Sequence, residues 1–351
     1  MKSWIVRGVL LVLAGISLYL LAPGLIAIFG SWHDLKNMKP RWLAAAHGFE
    51  VMSYVSLWEV QRIALRTPSW FAVGTSQLVG NAIGNVVPGG GAAASAFSYR
   101  YLVRAGVDSG SIASGITASW LATTSAMLAL PILAVPAVLG GVAAPKGLVQ
   151  AALIGAAAFV GVVALGTCAL LWDRPLLAAG RAARWVVSHV SKKRDVSRLP
   201  ERLLEQRDAV RVAFGSRWLF GVTAAVGKWG FDYLALICCL AALDSRPNPS
   251  LVLLAYAGAS LLGMIPITPG GLGFVETGLT GMLALAGVGA QAAAVATLAY
   301  RLISFWLPLP AGGVAALLHR HRYGSEAPPK GSSAAASPGA ASGSTSTQST
   351  A

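Results

Sequence analysis

Charge is scarce in this sequence, and negative charge is scarcer: of 351 residues only 11% are charged, with 13 Asp and Glu against 27 Lys and Arg. An average soluble protein is about 25% charged, so a single soluble domain is excluded. Cysteine is equally thin. Cys168, Cys238 and Cys239 lie in apolar runs without CxxC spacing and without a fourth partner, which leaves no readable disulfide framework or zinc site. The five histidines are scattered, and His319 and His321 read as a basic membrane edge flanking the last apolar run rather than as a metal pair. The chain has no DxD for a nucleotide-bound metal and no HExxH for zinc hydrolysis. No catalytic motif is found, and neither cofactor nor metal is implied.

What the chain has instead is apolar length, with 55% hydrophobic residues. A hydrocarbon layer of about 30 Å takes about 20 apolar residues per crossing helix. Such runs recur from Val6 to Leu318, and they predict full spans over 6–29, 42–65, 109–138, 148–172, 217–243 and 289–318. The first is too long for a signal peptide and lacks an A-x-A cleavage site, so it reads as a retained anchor. Residues from Gly324 on are Ser, Ala, Gly, Thr and Pro with little to bury, and predict a disordered tail.

The net charge of +14 falls between spans rather than along a soluble face, which argues against nucleic acid. Between Asp173 and Arg217 inclusive, eleven basic residues stand against five acids, so the positive-inside rule makes that connection cytoplasmic. Six spans then put both termini in the cytoplasm of a multi-pass cell-membrane protein. Alanine, valine and leucine between the basic residues of 181–211 fit a surface-lying amphipathic helix or a solvated connection.

Two further apolar stretches are interrupted at their middles, Trp70 to Ala105 by Pro88-Gly89-Gly90-Gly91 and Ser250 to Ala286 by Pro269-Gly270-Gly271. Each arm is roughly 14 to 17 residues, about 21–25 Å of helix, which is short for a crossing. Proline removes a donor and glycine disfavours helix, so the chain is predicted to turn there as a re-entrant hairpin. The stretches also repeat: Pro88-Gly89-Gly90 and Ala105-Gly106-Val107 recur as Pro269-Gly270-Gly271 and Ala286-Gly287-Val288 at a constant interval of 181. One hairpin would enter from each side, which makes the repeats inverted. The predicted fold is therefore an all-α polytopic membrane protein with six full spans and two re-entrant hairpins. Its parts are an N-terminal helix (1–30), a first repeat (31–145, hairpin 70–105), a helix and basic connection (146–216), a second repeat (217–322, hairpin 250–286) and a tail (323–351).

The segment PITPGGLGFVETGL (Pro266 to Leu279), the following AGV, and AYRLISFWLPLPAGG (Ala299 to Gly313) resemble the flippase-like family of the transmembrane region of lysylphosphatidylglycerol synthases. GNVVPGGGAAASAFSYRYLVRAGV (Gly84 to Val107) fits the same pattern. The resemblance covers most of 5–320 and implies movement of a lipid or lipid-linked headgroup between leaflets. It implies no lysine transfer, because nothing resembling the soluble aminoacyltransferase domain follows Arg322. Membrane lipids with anionic headgroups are the implied partners, and a lipid-modifying enzyme is a further candidate partner. A membrane-embedded transferase, or a non-transporting partner of a lipid- or glycan-modifying enzyme, is the alternative.

Candidate site residues follow from charge at membrane depth, which insertion scales price at several kcal/mol and which therefore faces a cavity or a partner. Glu276 and Arg301 occupy family motif positions; they can form a structural ion pair, a phosphate grip, or both. Gly89, Gly90, Gly270 and Gly271 precede arms whose first N–H groups can meet an anion, or they serve only to turn the chain. His47, Glu50, Tyr54, Trp58 and Gln61 recur at three and four and form a polar stripe on one face. The interval of 181 sets His47 opposite Lys228, which stands four residues before Asp232; this reads as a Lys228–Asp232 pair within one helix with Glu50 satisfied by neighbours, or else as proton coupling. Gln77, Asn81 and Asn85 repeat every fourth residue and suit interhelical bonds or a headgroup path. Arg100 and Arg104 suit anionic headgroups or set topology.

Overall fold

The structure is a computed structural model that describes residues 38–87, 90–139, 214–264 and 268–324 continuously, with isolated positions within 30–36 and 146–208. The predicted spans 6–29 and 148–172, most of the basic connection, Pro88, Gly89, Cys168 and the tail lie outside the described residues, wholly or for the most part.

Every described element is helical. In chain order they are α1 (Pro40–Ala64), α2 (Trp70–Val86), α3 (Gly90–Arg104), α4 (Ser109–Leu139), α5 (Trp218–Ala241), α6 (Pro249–Gly263), α7 (Phe274–Leu285), α8 (Ala290–Arg301) and α9 (Pro308–Tyr323). Short 3-10 turns at Gly215–Arg217 and Pro269–Gly271 precede α5 and α7, and a π turn at Leu302–Trp306 joins α8 to α9. Ser109–Ala134, Gly215–Ala241 and Ala290–Tyr323 are long and apolar enough to cross a membrane. α5 turns Trp218, Leu219, Phe220, Val222 and Val226 outward, and its other face is buried. A helix apolar all round in this way suits lipid on one side and protein on the other. The protein is an all-α polytopic membrane protein.

Both interrupted stretches fold as helical hairpins. α2 packs against α3 at close range: a Cβ on Gly80 would lie 2.2 Å from Ser98 Oγ, and one on Gly84 2.9 Å from the Ala94 Cβ. α6 packs against α7, and the chain turns between them through Gly270 and Gly271, at φ 57° and 70°. The repeat is visible in the hydrogen bonds. Gly106 and Gly287 are left-handed at φ 82° and 89°, and each lets the next N–H reach back to close its helix, Val107 to Leu102 and Val288 to Leu283. α4 and α8 then begin at Ser109 and Ala290, again 181 apart.

The first helices of the two repeats follow a shorter interval. α1 and α5 close with left-handed Arg66 and Asp244 (φ 52° and 56°), 178 residues apart, and they begin at Pro40 and Trp218 with the same spacing. Lys228 therefore corresponds to Glu50 and not to His47, because three residues of difference are absorbed between these helices and the hairpin ends. α1 and α5 pack antiparallel. Lys39 bonds to Asp244 at one end, and a Cβ on Gly215 would lie 3.8 Å from the Arg66 guanidinium at the other. The two halves are thus inverted relative to each other.

α8 stays with its own half, packed on α5 and α7, whereas α9 crosses to the first hairpin. Gly312 meets Leu78 and Ala82 there. His319 is fully buried, with Nδ1 2.7 Å from Thr75 Oγ1 and Nε2 3.0 Å from the Tyr101 carbonyl. It is an internal tie and not the basic membrane edge expected of it; His321 is exposed.

Candidate functional site

A cavity of about 310 Å³ lies where the two halves meet, lined by α1, α2, α5, the Gly270 turn and the α8–π turn segment. Eight residues singled out in the sequence share it: Glu50, Tyr54, Asn81, Asn85, Lys228, Asp232, Gly270 and Arg301. Glu276 joins them through Arg301.

Arg301 ends α8, directly after Tyr300, and is only partly exposed. Its Nε donates to Glu276 Oε1 at 2.7 Å and its Nη2 to the Gly270 carbonyl at 2.9 Å. The guanidinium also stacks 4.4 Å from the Phe305 ring. Five N–H donors radiate from a guanidinium, and among the described residues the remaining three have no protein acceptor. Glu276 is held from its other side, where Oε2 accepts the Gly273 N–H at 2.7 Å and caps α7. Capping and ion pairing thus fix one carboxylate, and through it the arginine.

Asp232 is the anchor of the second half. Its Oδ2 accepts Tyr256 Oη–H at 2.6 Å, its Oδ1 accepts Tyr300 Oη–H at 2.8 Å, and Lys228 Nζ stands 3.3 Å away on the same helix. Three helices, α5, α6 and α8, are joined at this carboxylate. Since Tyr300 precedes Arg301, the anchor also sets where the guanidinium sits. Lys228 lies 3.4 Å from the Trp229 ring, which gives the ammonium a second favourable neighbour. The predicted Lys228–Asp232 pair is present. Glu50 was expected to be satisfied by neighbours, but its Oε2 is buried without a partner among the described residues, beside Asp232.

Other candidates fall elsewhere. Arg100 is exposed, 5.6 Å from the Phe97 ring, and lines no cavity with this group. Gly90 serves the close approach of α3 to Gly84, and Gly271 the turn before α7; neither lines the cavity. Gly89 lies outside the described residues. Of the polar stripe on α1, His47 is exposed, Tyr54 joins Glu50 in the cavity, and Trp58 packs on Gly74. Tyr54 accepts Asn81 Nδ2–H at 2.7 Å, and Gln61 Nε2–H donates to Gln77 at 2.9 Å, so the amide ladder on α2 does make interhelical bonds.

Tyr256, Tyr300, Trp229, Ser304 and Phe305 were not identified from the sequence. Aromatic residues in apolar helices carry no periodic signal that separates a site from packing. The single available sign was the adjacency of Tyr300 to Arg301.

Comparison with known proteins agrees with this architecture. Residues 5–312 match the family described as the lysylphosphatidylglycerol synthase TM region. A UPF0104 membrane protein of Methanothermobacter thermautotrophicus is 31% identical over 114 residues, 32% of this chain and 32% of that protein. A second such protein of that organism is 28% identical over 148 residues, 40% of this chain and 44% of that protein. A UPF0104 membrane protein of Pyrococcus horikoshii is 34% identical over 92 residues, 26% of this chain and 28% of that protein. The aligned part thus spans less than half the length of each of these relatives. The match over residues 5–312, carried by a fold of two inverted halves with an ion-paired arginine between them, shows that this chain belongs to the lysylphosphatidylglycerol synthase transmembrane region family.

Proposed function

We propose that this protein moves an anionic phospholipid, or a lipid-linked phosphate headgroup, between the leaflets of the cell membrane. The observation that carries this reading is Arg301: its guanidinium is held by Glu276 and the Gly270 carbonyl, and its other donors border a cavity that also holds Lys228. Paired guanidinium donors match the oxygens of a phosphate. Lys228 adds a second positive charge, and Glu276 balances the arginine when no ligand is present. Inverted repeats with broken helices, and a site between them, form a recurrent transporter plan in which each half opens to one side in turn.

The same reading puts both hairpin turns at membrane depth, each entering from its own side, with the termini and the basic connection in the cytoplasm. Single cysteines at Ser191 and Ser337 are expected to resist an impermeant thiol reagent in intact cells, while one at Gly141 reacts. Reaction at Ser191 from outside overturns the orientation. Transport itself is tested in proteoliposomes of purified protein, by following the leaflet distribution of headgroup-labelled anionic lipids. Exchange no faster than in protein-free vesicles, for every anionic headgroup tried, refutes the proposal.

A further inference from the structure

The first half of the molecule holds a second cavity, of about 510 Å³, lined by α1, α2, α3 and α4 and open on one side. That size lies within the range of small-molecule sites, about 300–1,000 Å³. It adjoins the charged cavity, since Leu57 and Asn81 line both. Its chemistry is different, because none of its lining residues is ionisable. The polar groups are the amides of Gln61, Gln77 and Asn81 and five hydroxyls, of which Ser98, Ser119 and Thr123 give their protons to backbone carbonyls and Ser95 and Thr117 complete the set; Trp120, more than half exposed, stands at the rim.

This amide set is incompletely paired. Gln61 spends one N–H on Gln77, and its Oε1 is buried with no donor among the described residues, in a side chain from a residue only 5% exposed. A buried carbonyl oxygen in that state lacks a donor, and Gln61 lines the cavity from which one can be supplied. Thr117 gives its proton to the Ala113 carbonyl at 2.9 Å and so offers only lone pairs to a ligand.

The repeat explains how the two cavities came to differ. At the interval of 181, Trp120 stands where the second half has Arg301, and Ser95 where it has Glu276. An ion pair in one half is an indole and a hydroxyl in the other. The corresponding crevice is kept on both sides, lined by Glu276, Thr277 and Thr297 in the second half; its one charged residue is Glu276, which pairs with Arg301 in the adjoining cavity, whereas the first-half crevice has none.

We infer that the neutral cavity binds the hydroxyl-rich part of the headgroup, a glycerol or a sugar, while the adjoining phosphate is held at Arg301; this rests on the proposed phosphate grip. A polyol supplies donors to Gln61 Oε1 and Thr117 Oγ1 and accepts from the Gln77 amide, and the C–H face of a sugar ring covers Trp120. An ammonium group fits less well, because it brings charge and no acceptor to a cavity without a carboxylate. An acyl chain would bring no donor to Gln61 Oε1.

The test uses the full chain in nanodiscs of zwitterionic lipid. Short-chain phosphatidylglycerol, a short-chain phosphohexose lipid and phosphatidic acid are titrated, with binding read by tryptophan fluorescence and calorimetry. Phosphatidic acid carries phosphate without a polyol, so the polyol lipids are expected to bind about tenfold more tightly, the equivalent of one or two hydrogen bonds. Gln61→Leu is expected to erase that preference while leaving phosphatidic acid binding unchanged, and Thr117→Val to reduce it. Competition by soluble glycerol phosphate and hexose phosphate supports recognition of the headgroup alone; their failure to compete, with the lipid preference intact, supports recognition of the lipid-attached form. Equal affinity for phosphatidic acid and the polyol lipids in the wild type overturns the inference, as does an equal loss for all three lipids in both variants. Arg301→Lys separates the two readings. If it leaves all three lipids unaffected while Gln61→Leu still removes the preference, the phosphate grip fails and the polyol site stands.

Discussion

Replacing Arg301 by lysine keeps the positive charge and removes the fork. The arginine makes two charge-assisted bonds in different directions, to Glu276 at 2.7 Å and to the Gly270 carbonyl at 2.9 Å, and turns further donors to the cavity. A single ammonium can keep Glu276 but cannot hold the carbonyl and grip a phosphate through paired donors as well. A hydrogen bond to a charged group contributes about 1.5–3 kcal/mol. Losing one such bond to the substrate therefore lowers transport by about 10- to 150-fold, at 1.4 kcal/mol per tenfold. Stability should change little, because the ion pair survives and the carboxylate still caps α7. The assay is headgroup translocation in proteoliposomes, with thermal unfolding of the same preparation as control. Wild-type transport by Arg301→Lys would falsify the phosphate grip. Recovery of activity in a Glu276→Gln, Arg301→Gln double variant would further assign the pair to packing alone.

Three other outcomes are expected. Gly270→Ala should destabilise the protein by at least about 1–2 kcal/mol, since φ is 57° and the new Cβ would fall 2.2 Å from Phe305, whereas Gly91→Ala, with nothing within 4 Å, should be tolerated in thermal melts. Asp232→Leu should cost about 3–5 kcal/mol and lower the yield of monodisperse protein in detergent, because it strands Lys228 and two tyrosyl hydroxyls. Asp108 lies outside the helices and caps α4; the Ser111 N–H it accepts at 2.9 Å holds its carboxyl below the usual carboxylate range. The cap is therefore complete above that range and is lost as pH falls through the lowered value. Amide exchange in the first turn of α4 should rise on acidification, and the rise should be absent in Asp108→Asn, which still caps.

Much of the fold was legible because apolar length and Pro-Gly interruptions are local signals. The described helices match four of the predicted spans and both hairpins, and the AGV repeats reappear as paired helix ends. The 178-residue spacing of α1 and α5 was hidden because the motif residues that advertise the repeat lie only in the hairpins, and helix ends at Arg66 and Asp244 share no residue type. Charge at membrane depth found most of the site: Glu50, Lys228, Asp232, Glu276 and Arg301 are rare enough in apolar helices to stand out. Arg100, read as an attractor of anionic headgroups or a topology signal, stands exposed and away from the charged cavity. His319 was misread. Its place beside His321 and Arg322 looked like a solvent edge, and only tertiary packing against α2 and α3 puts it inside.

The π turn after Arg301 has a mechanical meaning. Pro308 has no N–H, so the chain cannot continue the ordinary ladder, and the Leu307 N–H reaches back five residues to Leu302. On one side of that widened turn, α8 is bolted to the second half through Tyr300 and Asp232; on the other, α9 is bolted to the first hairpin through His319 and Thr75. The last helix is thus a shaft shared by both halves with its coupling at residues 302–306. In the transport cycle proposed above, rocking of one half against the other would concentrate at that coupling, with the guanidinium beside the pivot, where a charge can stay nearly still while the walls around it change sides.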